Sequence, residues 1–412
     1  MNIWIFNHYA TAPNHVGGTR HYDLARQLIK QGHEVTIFAS SFNHLLRKEM
    51  ISYNGENFKE EYIDGVRYIW IKTPKYGGAI LRVKNIISYT IKSYFKAVRE
   101  IESSKPDIII GSSVHPLATI VAYIISRRTQ SKFYFEERDL WPQTFVDFGK
   151  LSVNNPIVRL LYKLESFLYQ KADRIIVLFD RVVNYVESKN IEKDKIIYLP
   201  NGVDLERYKN IKTSNHIDEI YSQLKGKFIL IYAGSHGIAN HLEPIIEIAS
   251  LLQSNEKYKD IHILMVGNGP LKKDLIKKSK LLNLRNITFV DPVTKEEIPY
   301  LLSRADLSFI SIKDSPLYKW GFSMNKLYDY MAAGLPIMML ANNDIVGDLK
   351  NSGGLLISEN PSQLVENIYS LYMNREKKLE MGKALKKYVE ENYSWEILGR
   401  KLGNYINEDV RE

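Results

Sequence analysis

One short segment of this chain combines a cation, a carboxylate and the start of a helix. It reads Ser323-Met324-Asn325-Lys326-Leu327-Tyr328-Asp329, and the pattern predicts a Gly/Ser turn, then a helix that stops at Gly334-Leu335-Pro336. The first amides of a helix lack an intrahelical acceptor and attract anions, and Lys326 adds a full positive charge. Asp329 lies three residues later and can face the same side, where it could accept hydrogen bonds from hydroxyl groups. This combination suits a nucleotide-sugar, although an ordinary amphipathic helix has the same spacing.

Three connections that follow predicted strands contain glycines, which let a ligand approach the backbone closely. Gly17-Gly18 precede Arg20, and these residues could hold an anion, although a plain tight loop fits equally well. Gly234-Ser235-His236-Gly237 are expected to open a helix over residues 240–252, which favours a diphosphate site, joined by the lysine above, over a simple turn. Gly267-Asn268-Gly269-Pro270 are more typical of a turn before a helix.

Two strand ends in the first half carry candidate catalytic side chains. His115 follows a predicted strand and could bind a sugar hydroxyl or accept a proton, although a structural loop histidine is equally consistent. Arg138 lies in the run Glu136-Glu137-Arg138-Asp139 and could pair with a carboxylate or a phosphate. The sequence has no HExxH, CxxC, GxSxG or GxxxxGK[ST] motif, which argues against zinc hydrolases, serine hydrolases and P-loop enzymes.

The elements that must position these residues repeat one pattern in both halves of the chain. Short apolar strands alternate with helical segments up to Pro200-Asn201-Gly202, and the alternation then restarts. A chain of 412 residues also exceeds the usual size of a single core. We therefore predict two doubly wound α/β domains, residues 1–200 and 201–394, with the carboxyl ends of their strands facing a central cleft.

Composition and charge restrict the class of protein. With 45% hydrophobic and 25% charged residues and no cysteine, the chain reads as soluble and cytoplasmic, without disulfides or thiolate metal sites. No signal peptide is recognised at Met1, and no segment approaches the ~20 apolar residues that span a bilayer. The net charge of +9 is concentrated in residues 1–200, with 28 Lys+Arg against 20 Asp+Glu, whereas residues 201–412 have 28 against 27.

Part of this positive charge lies in residues 81–99, a helix-like segment rich in aromatic and aliphatic residues. Such a helix could lie on an anionic membrane at the inner face of the cell, or it could simply pack with a solvated basic face. Nucleic acid is not an expected partner, because the basic residues form no tight cluster.

Motifs along nearly the whole chain resemble the retaining glycosyltransferases of family 4, which have the GT-B fold. In order, they are GGTR at 17–20, RDLWP at 138–142, LESFLYQKADRIIVL at 164–178, LPNGVD at 199–204, GNGP at 267–270, ADLSFIS at 305–311, NKLYDYMAAGLP at 325–336 and YSWEILGRKL at 393–402. The motifs RDLWP and NKLYDYMAAG are similar to those of the WbuB-like branch of this family, which is associated with aminodeoxysugar transfer in O-antigen and capsule assembly.

The resemblance implies roles for residues of the second domain. Asp329 is expected to bind the ribose hydroxyls, while Gly321 replaces the family's other carboxylate. Residues 323–325 would then contact the sugar in its place. Lys326 and the amides of residues 234–238 would hold the diphosphate. The base, which is of the uracil type in the family's pattern, would lie beside Val266-Gly267 and Asp291-Pro292-Val293.

For the first domain, the resemblance implies that it binds the acceptor, that His115 lies close to the transferred sugar, and that residues 395–412 pack back on this domain. It further implies front-face transfer with retention to a lipid-diphosphate-linked glycan, with no metal and no other cofactor. A sugar-nucleotide epimerase of the same fold and a non-catalytic binder remain as alternatives, the latter because of Gly321.

Overall fold

The computed structural model of this protein describes residues 1–411 except 16, 45, 148 and 150. The chain forms two compact units, which we call the first unit (Met1–Asn201 with Trp395–Glu412) and the second unit (Gly202–Ser394).

The first unit is built on a sheet of eight strands. Its strands, together with the small pair β3 and β4, are β1 (Asn2–Phe6), β2 (Glu34–Ser40), β3 (Phe42–Asn43), β4 (Lys48–Glu49), β5 (Phe58–Ile63), β6 (Val66–Ile71), β7 (Ile108–Ser112), β8 (Lys132–Glu137), β9 (Arg174–Val177) and β10 (Ile196–Tyr198). The order in the large sheet is β10-β9-β8-β7-β1-β2-β6-β5. All neighbours are parallel except β5 and β6, which pair antiparallel.

Six helices connect these strands: α1 (Arg20–Lys30), α2 (Ala79–Glu100), α3 (Pro116–Thr129), α4 (Gln143–Asp147), α5 (Pro156–Lys171) and α6 (Val182–Glu187). The central strands are covered on both faces, and Ile108, Ile109 and Ile110 are at most 3% exposed. Continuous runs of branched residues are typical of parallel strands buried in this way.

The second unit has a purely parallel sheet of six strands. They are β11 (Phe228–Ala233), β12 (Ile261–Val266), β13 (Ile287–Val290), β14 (Leu307–Ser311), β15 (Ile337–Leu340) and β16 (Leu355–Ser358), in the order β13-β12-β11-β14-β15-β16. Its helices are α7 (Glu206–Lys209), α8 (Asn215–Ser222), α9 (Pro244–Gln253), α10 (Lys272–Leu281), α11 (Ile298–Ser303), α12 (Asn325–Ala333), α13 (Pro361–Met373) and α14 (Arg375–Asn392). Both units are thus Rossmann-like, as the alternation of strands and helices predicted.

One hairpin of the first unit does not follow the predicted alternation. Strands β5 and β6 are joined by Asp64 and Gly65, which both have positive φ, as a tight two-residue hairpin requires. None of the described helices has the length and apolarity needed to cross a membrane.

The last helix, α15 (Trp395–Arg411), belongs to the first unit and is held there by a buried carboxylate. Asp409 is 4% exposed, accepts a hydrogen bond from the Tyr134 hydroxyl at 2.6 Å, and forms an ion pair with Arg174. Burial opposes ionisation, but the hydrogen bonds from Arg174 and Tyr134 outweigh it and lower the pKa of Asp409.

We expect Asp409→Asn to lower the free energy of unfolding by about 2–3 kcal/mol, because the part-buried Arg174 guanidinium loses its anion. Thermal unfolding with limited proteolysis of the C-terminal helix measures the effect. Glu408→Ala removes a neighbouring exposed carboxylate and is the matched control. Equal unfolding temperatures for the two variants would contradict this account of α15.

Candidate functional site

Lys326 lies in the first turn of α12 and reaches the end of β11. Its Nζ donates to the hydroxyl of Tyr232 at 2.8 Å and to Oδ1 of Asn240 at 2.5 Å. The ammonium also lies 4.4 Å from the centre of the Tyr232 ring. In the part of the chain that the structure describes, no carboxylate forms an ion pair with Lys326.

The positive charge of this ammonium is not balanced by a carboxylate of the described residues. Burial lowers the pKa of Lys326 to about 7. A buried cation is costly unless an anion compensates it, and the two contacts described above are to neutral groups. The position therefore favours an anionic ligand.

Two glycines allow the loops beside this lysine to touch through their backbones. A Cβ at Gly267 would lie 1.9 Å from the carbonyl oxygen of Gly234, so a side chain at residue 267 would push the loops apart. A Cβ at Gly234 would in turn lie 3.1 Å from Cε of Lys326. The structure thus brings Gly234, Gly267 and Lys326 together.

The amides of the first loop are only partly available to a ligand. The amides of Gly234 and His236 donate to the carbonyls of Val266 and Asn268, both at 2.9 Å. Contrary to the expectation for residues 234–238, these two amides cannot hold a diphosphate without breaking those bonds. The amides of this loop that donate to no described residue are those of Ser235, Gly237 and Ile238.

The helix after this loop begins later than predicted. Residues Ile238–Asn240 form a 3-10 turn, His241 has a left-handed conformation with φ 44°, and α9 begins at Pro244. The predicted start at residue 240 is wrong, because proline favours the first position of a helix and has no amide to donate. The glycine loop is therefore not continuous with a helix N-terminus.

Two side chains that the sequence analysis missed hold this loop in shape. The carbonyl of Ser235 accepts a hydrogen bond from the Tyr232 hydroxyl at 2.7 Å and from Nδ2 of Asn240 at 2.9 Å. The Tyr232 hydroxyl and Oδ1 of Asn240 in turn accept hydrogen bonds from Lys326, so the loop and the ammonium form one network. A tyrosine at the end of a buried strand has no pattern that distinguishes it from a core residue.

His236 is a further residue of this loop to which the sequence assigned no role. Its side chain is fully buried, and neither ring nitrogen has a hydrogen-bond partner among the described residues. Burial, with smaller effects of Lys272 and Lys326, lowers the pKa of His236 to about 4, so the ring is neutral at physiological pH.

Asp329 lies on α12 with Lys326 but contacts a different element. Its Oδ1 accepts a hydrogen bond at 2.8 Å from the hydroxyl of Tyr208, a residue of α7 that the sequence analysis also missed. Burial raises the pKa of Asp329, while the positive charges of Lys295 and Arg207 favour the carboxylate form. Lys326 and Asp329 therefore bind separate partners along one helix.

The residues that lead into α12 form the predicted turn. Ser323 Oγ and Tyr328 Oη are 2.9 Å apart, Met324 is the residue before the helix, and Asn325 is exposed at its start. Gly321 has a φ of 96°, which side-chain-bearing residues rarely adopt. A carboxylate residue at this position would strain the turn, which gives a physical reason for the glycine.

The loop after β13 is fixed to its own unit. Asp291 Oδ1 accepts a hydrogen bond from Lys272 at 2.7 Å, and Val293 packs against the core of the unit. Pro292 lies between them in the sequence. Lys295 follows two residues after Val293, and its positive charge acts on Asp329. This charge links the loop to the carboxylate on α12.

In the first unit, His115 is the capping residue of α3. Its Nδ1 accepts a hydrogen bond from the amide of Ala118 at 3.3 Å, and its Nε2 lies 2.7 Å from Nδ1 of His8. Burial, with a smaller effect of Arg82, lowers the pKa of His115 to about 3. The imidazole is neutral with both nitrogens occupied, so a role as a base would require this hydrogen-bonding to rearrange.

Arg138 and the first glycine loop lie at separate points of the same unit. The amide of Arg138 donates to Ser113 Oγ at 2.9 Å, and its side chain is half-buried. A Cβ at Gly17 would lie 2.9 Å from Cγ2 of Thr11, and Thr11 Oγ1 donates to the carbonyl of Gly18 at 2.9 Å. Val16 of this loop lies outside the described residues.

Arg20 does not have the anion-binding role that the sequence suggested. Its guanidinium is 3% exposed and donates to Glu136 at 2.7 Å and to the carbonyls of Leu199 and Pro200. Glu136 also binds His21 at 2.6 Å. Arg20 is therefore a structural cation that ties α1 to β8 and to the segment after β10.

Two family models match the chain and together cover most of it. "Glycosyltransferase Family 4" matches residues 17–207, and "Glycosyl transferases group 1" matches residues 214–388. Spore coat protein SA of Bacillus subtilis is 22% identical over 408 residues, covering 91% of this chain and 90% of that protein.

Solved structures share the fold. The sucrose-phosphate synthase of Thermosynechococcus elongatus aligns with a TM-score of 0.71 and 17% identity, covering 100% of this chain and 99% of that one. HepE of Anabaena in complex with UDP-glucose aligns with a TM-score of 0.67 and 14% identity, covering 99% and 100%. Given these matches and two Rossmann-like units, the chain is a glycosyltransferase with the GT-B fold, with a family 4 domain followed by a group 1 domain.

Proposed function

We propose that the second unit binds a nucleoside diphosphate sugar and that the enzyme transfers this sugar, with retention, to a lipid-linked glycan of a surface polysaccharide. The observation that carries the donor site is the ammonium of Lys326. It is partly buried beside Gly234, and no carboxylate among the described residues neutralises it. A diphosphate supplies the missing negative charge through charge-assisted hydrogen bonds.

Other parts of the donor are assigned by position. Asp329 accepts hydrogen bonds from the ribose, and the base lies beside Gly267, Pro292 and Val293. We propose uridine because HepE, which shares the fold, is described in complex with UDP-glucose. We propose an N-acetylated aminodeoxysugar and a role in O-antigen or capsule assembly because the motifs RDLWP and NKLYDYMAAG resemble those of the WbuB-like branch.

In the proposed reaction, the acceptor hydroxyl attacks the anomeric carbon on the face from which the diphosphate departs. The bond from the anomeric carbon to the phosphate oxygen breaks, the glycosidic bond forms, and the hydroxyl proton passes to the departing phosphate. Lys326 and the first amides of α12 stabilise the negative charge that develops there. We propose that no metal takes part, because these groups supply the positive charge where it is needed.

Lys326 gives a prediction for pH dependence. A free-state pKa of about 7 means that a bound diphosphate must keep the lysine protonated as the pH rises. The dissociation constant for UDP, measured by calorimetry, should therefore increase by up to about tenfold per pH unit between pH 7 and 9.

Substitutions at Lys326 separate this effect from the titration of other groups. We expect Lys326→Met to bind UDP about 10–100-fold more weakly at pH 7 and without the pH dependence, whereas Lys326→Arg should stay charged and also lose it. Lys350→Met, at an exposed lysine of the same unit, is the matched control. Wild-type affinity in Lys326→Met would show that the site lies elsewhere.

Asp329 gives a prediction for the ribose. Asp329→Asn should weaken the binding of UDP about tenfold or more, because a carboxylate is the stronger acceptor of hydroxyl hydrogen bonds. The same substitution should leave the binding of 2′,3′-dideoxy-UDP unchanged. Tyr208→Phe removes the protein partner of Asp329 and controls for its positioning. Equal losses for both nucleotides would rule out the ribose contact.

We further propose that the first unit contacts an anionic membrane through helix α2. The exposed side of this helix is apolar: its α2 stripe, defined as Ile80, Val83, Ile87, Ile91 and Phe95, consists of residues that are 45% to 78% exposed. These residues recur every three to four positions, so they share one face. Residues buried on the other face include Asn85 and Ser93. The distribution of polarity is thus the reverse of that in an ordinary surface helix.

Two basic residues of α2, Lys92 and Lys96, do not belong to the solvated basic face that the sequence suggested as an alternative. Lys96 pairs with Glu60 and Glu100, and Lys92 donates to Asn57 Oδ1 and the carbonyl of Lys72. Lys84 and Arg99 are exposed and can face anionic lipid head groups.

We expect the double substitution Ile87→Ser, Ile91→Ser to reduce partitioning onto phosphatidylcholine–phosphatidylglycerol 7:3 vesicles by about tenfold or more, because two exposed apolar side chains that would insert into the membrane interface are lost. Co-sedimentation at low salt measures the effect. Leu281→Ser, at an exposed apolar residue of α10, is the control. If the double variant sediments like the wild type, α2 is not the membrane contact.

A further inference from the structure

A cluster of aromatic and imidazole rings around one arginine lies in the first unit. We call it the Arg82 cluster, and it consists of Arg82, His8, Tyr9, His44 and His115. Nε of Arg82 donates to the Tyr9 hydroxyl at 3.3 Å, and the Tyr9 ring lies 4.4 Å from that of His8 and 4.8 Å from that of His44. His8 and His115 are hydrogen-bonded at 2.7 Å.

The topology places this cluster at the edge of the sheet where ligands of α/β domains bind. His8 and Tyr9 follow β1, His115 follows β7, and His44 follows the short strand after β2. Strands β7, β1 and β2 are adjacent and parallel, so their carboxyl ends lie side by side. Arg82 joins them from the first turn of α2.

Arg82 is the source of positive charge in this cluster. Burial and the nearby Arg82 lower the pKa of His44 and of His115, and burial, His115 and Arg82 lower that of His8, so all three rings are neutral at pH 7. The groups that act on Arg82 itself are the hydroxyls of Tyr9 and Tyr76, with no carboxylate among them.

The guanidinium also has unused hydrogen-bonding capacity. Of its nitrogens, Nε binds Tyr9, while Nη1 and Nη2 make no hydrogen bond to a described residue. Arg82 is exposed, so a ligand can reach it. Two adjacent N–H donors on a planar cation match two oxygens of a phosphate. The α2 stripe begins two residues before Arg82, at Ile80, but on the opposite face of the helix. A ligand that contacts both must therefore pass the N-terminal end of α2.

We propose that Arg82 binds a phosphate group of a lipid diphosphate acceptor, whose lipid chain runs along the α2 stripe. This proposal rests on the proposed transferase function and names the part of the first unit that takes the acceptor. The possible ligands all carry a phosphate ester or a diphosphate. They differ in whether a lipid is attached to it.

The test uses the full chain saturated with UDP, so that the donor site is filled, and titrates three probes: geranyl diphosphate, inorganic pyrophosphate and geraniol. Arg82→Gln should weaken the binding of both diphosphates tenfold or more and leave geraniol unchanged. Arg128→Gln, which removes an exposed arginine of α3 in the same unit, should change none of the three. The double substitution Ile87→Ser, Ile91→Ser should weaken the two geranyl probes and leave pyrophosphate unchanged.

The same titrations distinguish the two proposals. UDP affinity is measured first in every variant, and Arg82→Gln should retain the wild-type value, which also reports that the variant is folded. Failure of the wild type to bind UDP would overturn the proposed donor. Wild-type affinity of Arg82→Gln for geranyl diphosphate, or an equal loss in Arg128→Gln, would overturn the phosphate site. A loss for geranyl diphosphate with none for pyrophosphate would likewise overturn it, since the contact would then be with the lipid.

Discussion

A partly buried positive charge that no carboxylate of the described residues balances is the constraint on which the second unit depends. The ammonium of Lys326 is held by the Tyr232 hydroxyl and the Asn240 amide oxygen, while the same hydroxyl and the Asn240 amide nitrogen donate to the carbonyl of Ser235. Removing the lysine would therefore affect the charge and the shape of the loop together. Because neutral partners leave a buried cation only partly compensated, the free protein stores an electrostatic cost that a bound anion relieves.

The fold could be predicted to the level of two Rossmann-like units, and the structure confirms it. Buried parallel strands give continuous apolar runs, such as Ile108-Ile109-Ile110, that can be recognised without knowledge of their neighbours. The hairpin of β5 and β6 was missed although its Asp64-Gly65 turn is a recognisable hairpin signal. The predicted start of α9 at residue 240 is wrong, because Pro244, and not the glycine loop, marks the first position of the helix.

The site could be predicted where the expected fold brings two segments to one edge of a sheet. Lys326 and the loop at Gly234 are far apart in the sequence, but both follow the carboxyl ends of strands in one parallel sheet. By contrast, Arg20 could have bound an external anion or a protein carboxylate. Its partner Glu136 is 116 residues away, so only the tertiary structure decides between them. Tyr208, which binds Asp329, was missed for the same reason.

The contact between Gly234 and Gly267 has a consequence for how a ligand is selected. Since the two backbones meet with no room for a side chain, the loop at Gly234 has little freedom to adapt its shape to different ligands. The ordering entropy that a flexible loop would lose on binding is then already lost when the protein folds, so a well-matched ligand binds more tightly. A mismatched ligand gains no such advantage, because the loop cannot move to meet it. Rigidity at this point thus converts a folding constraint into discrimination among ligands.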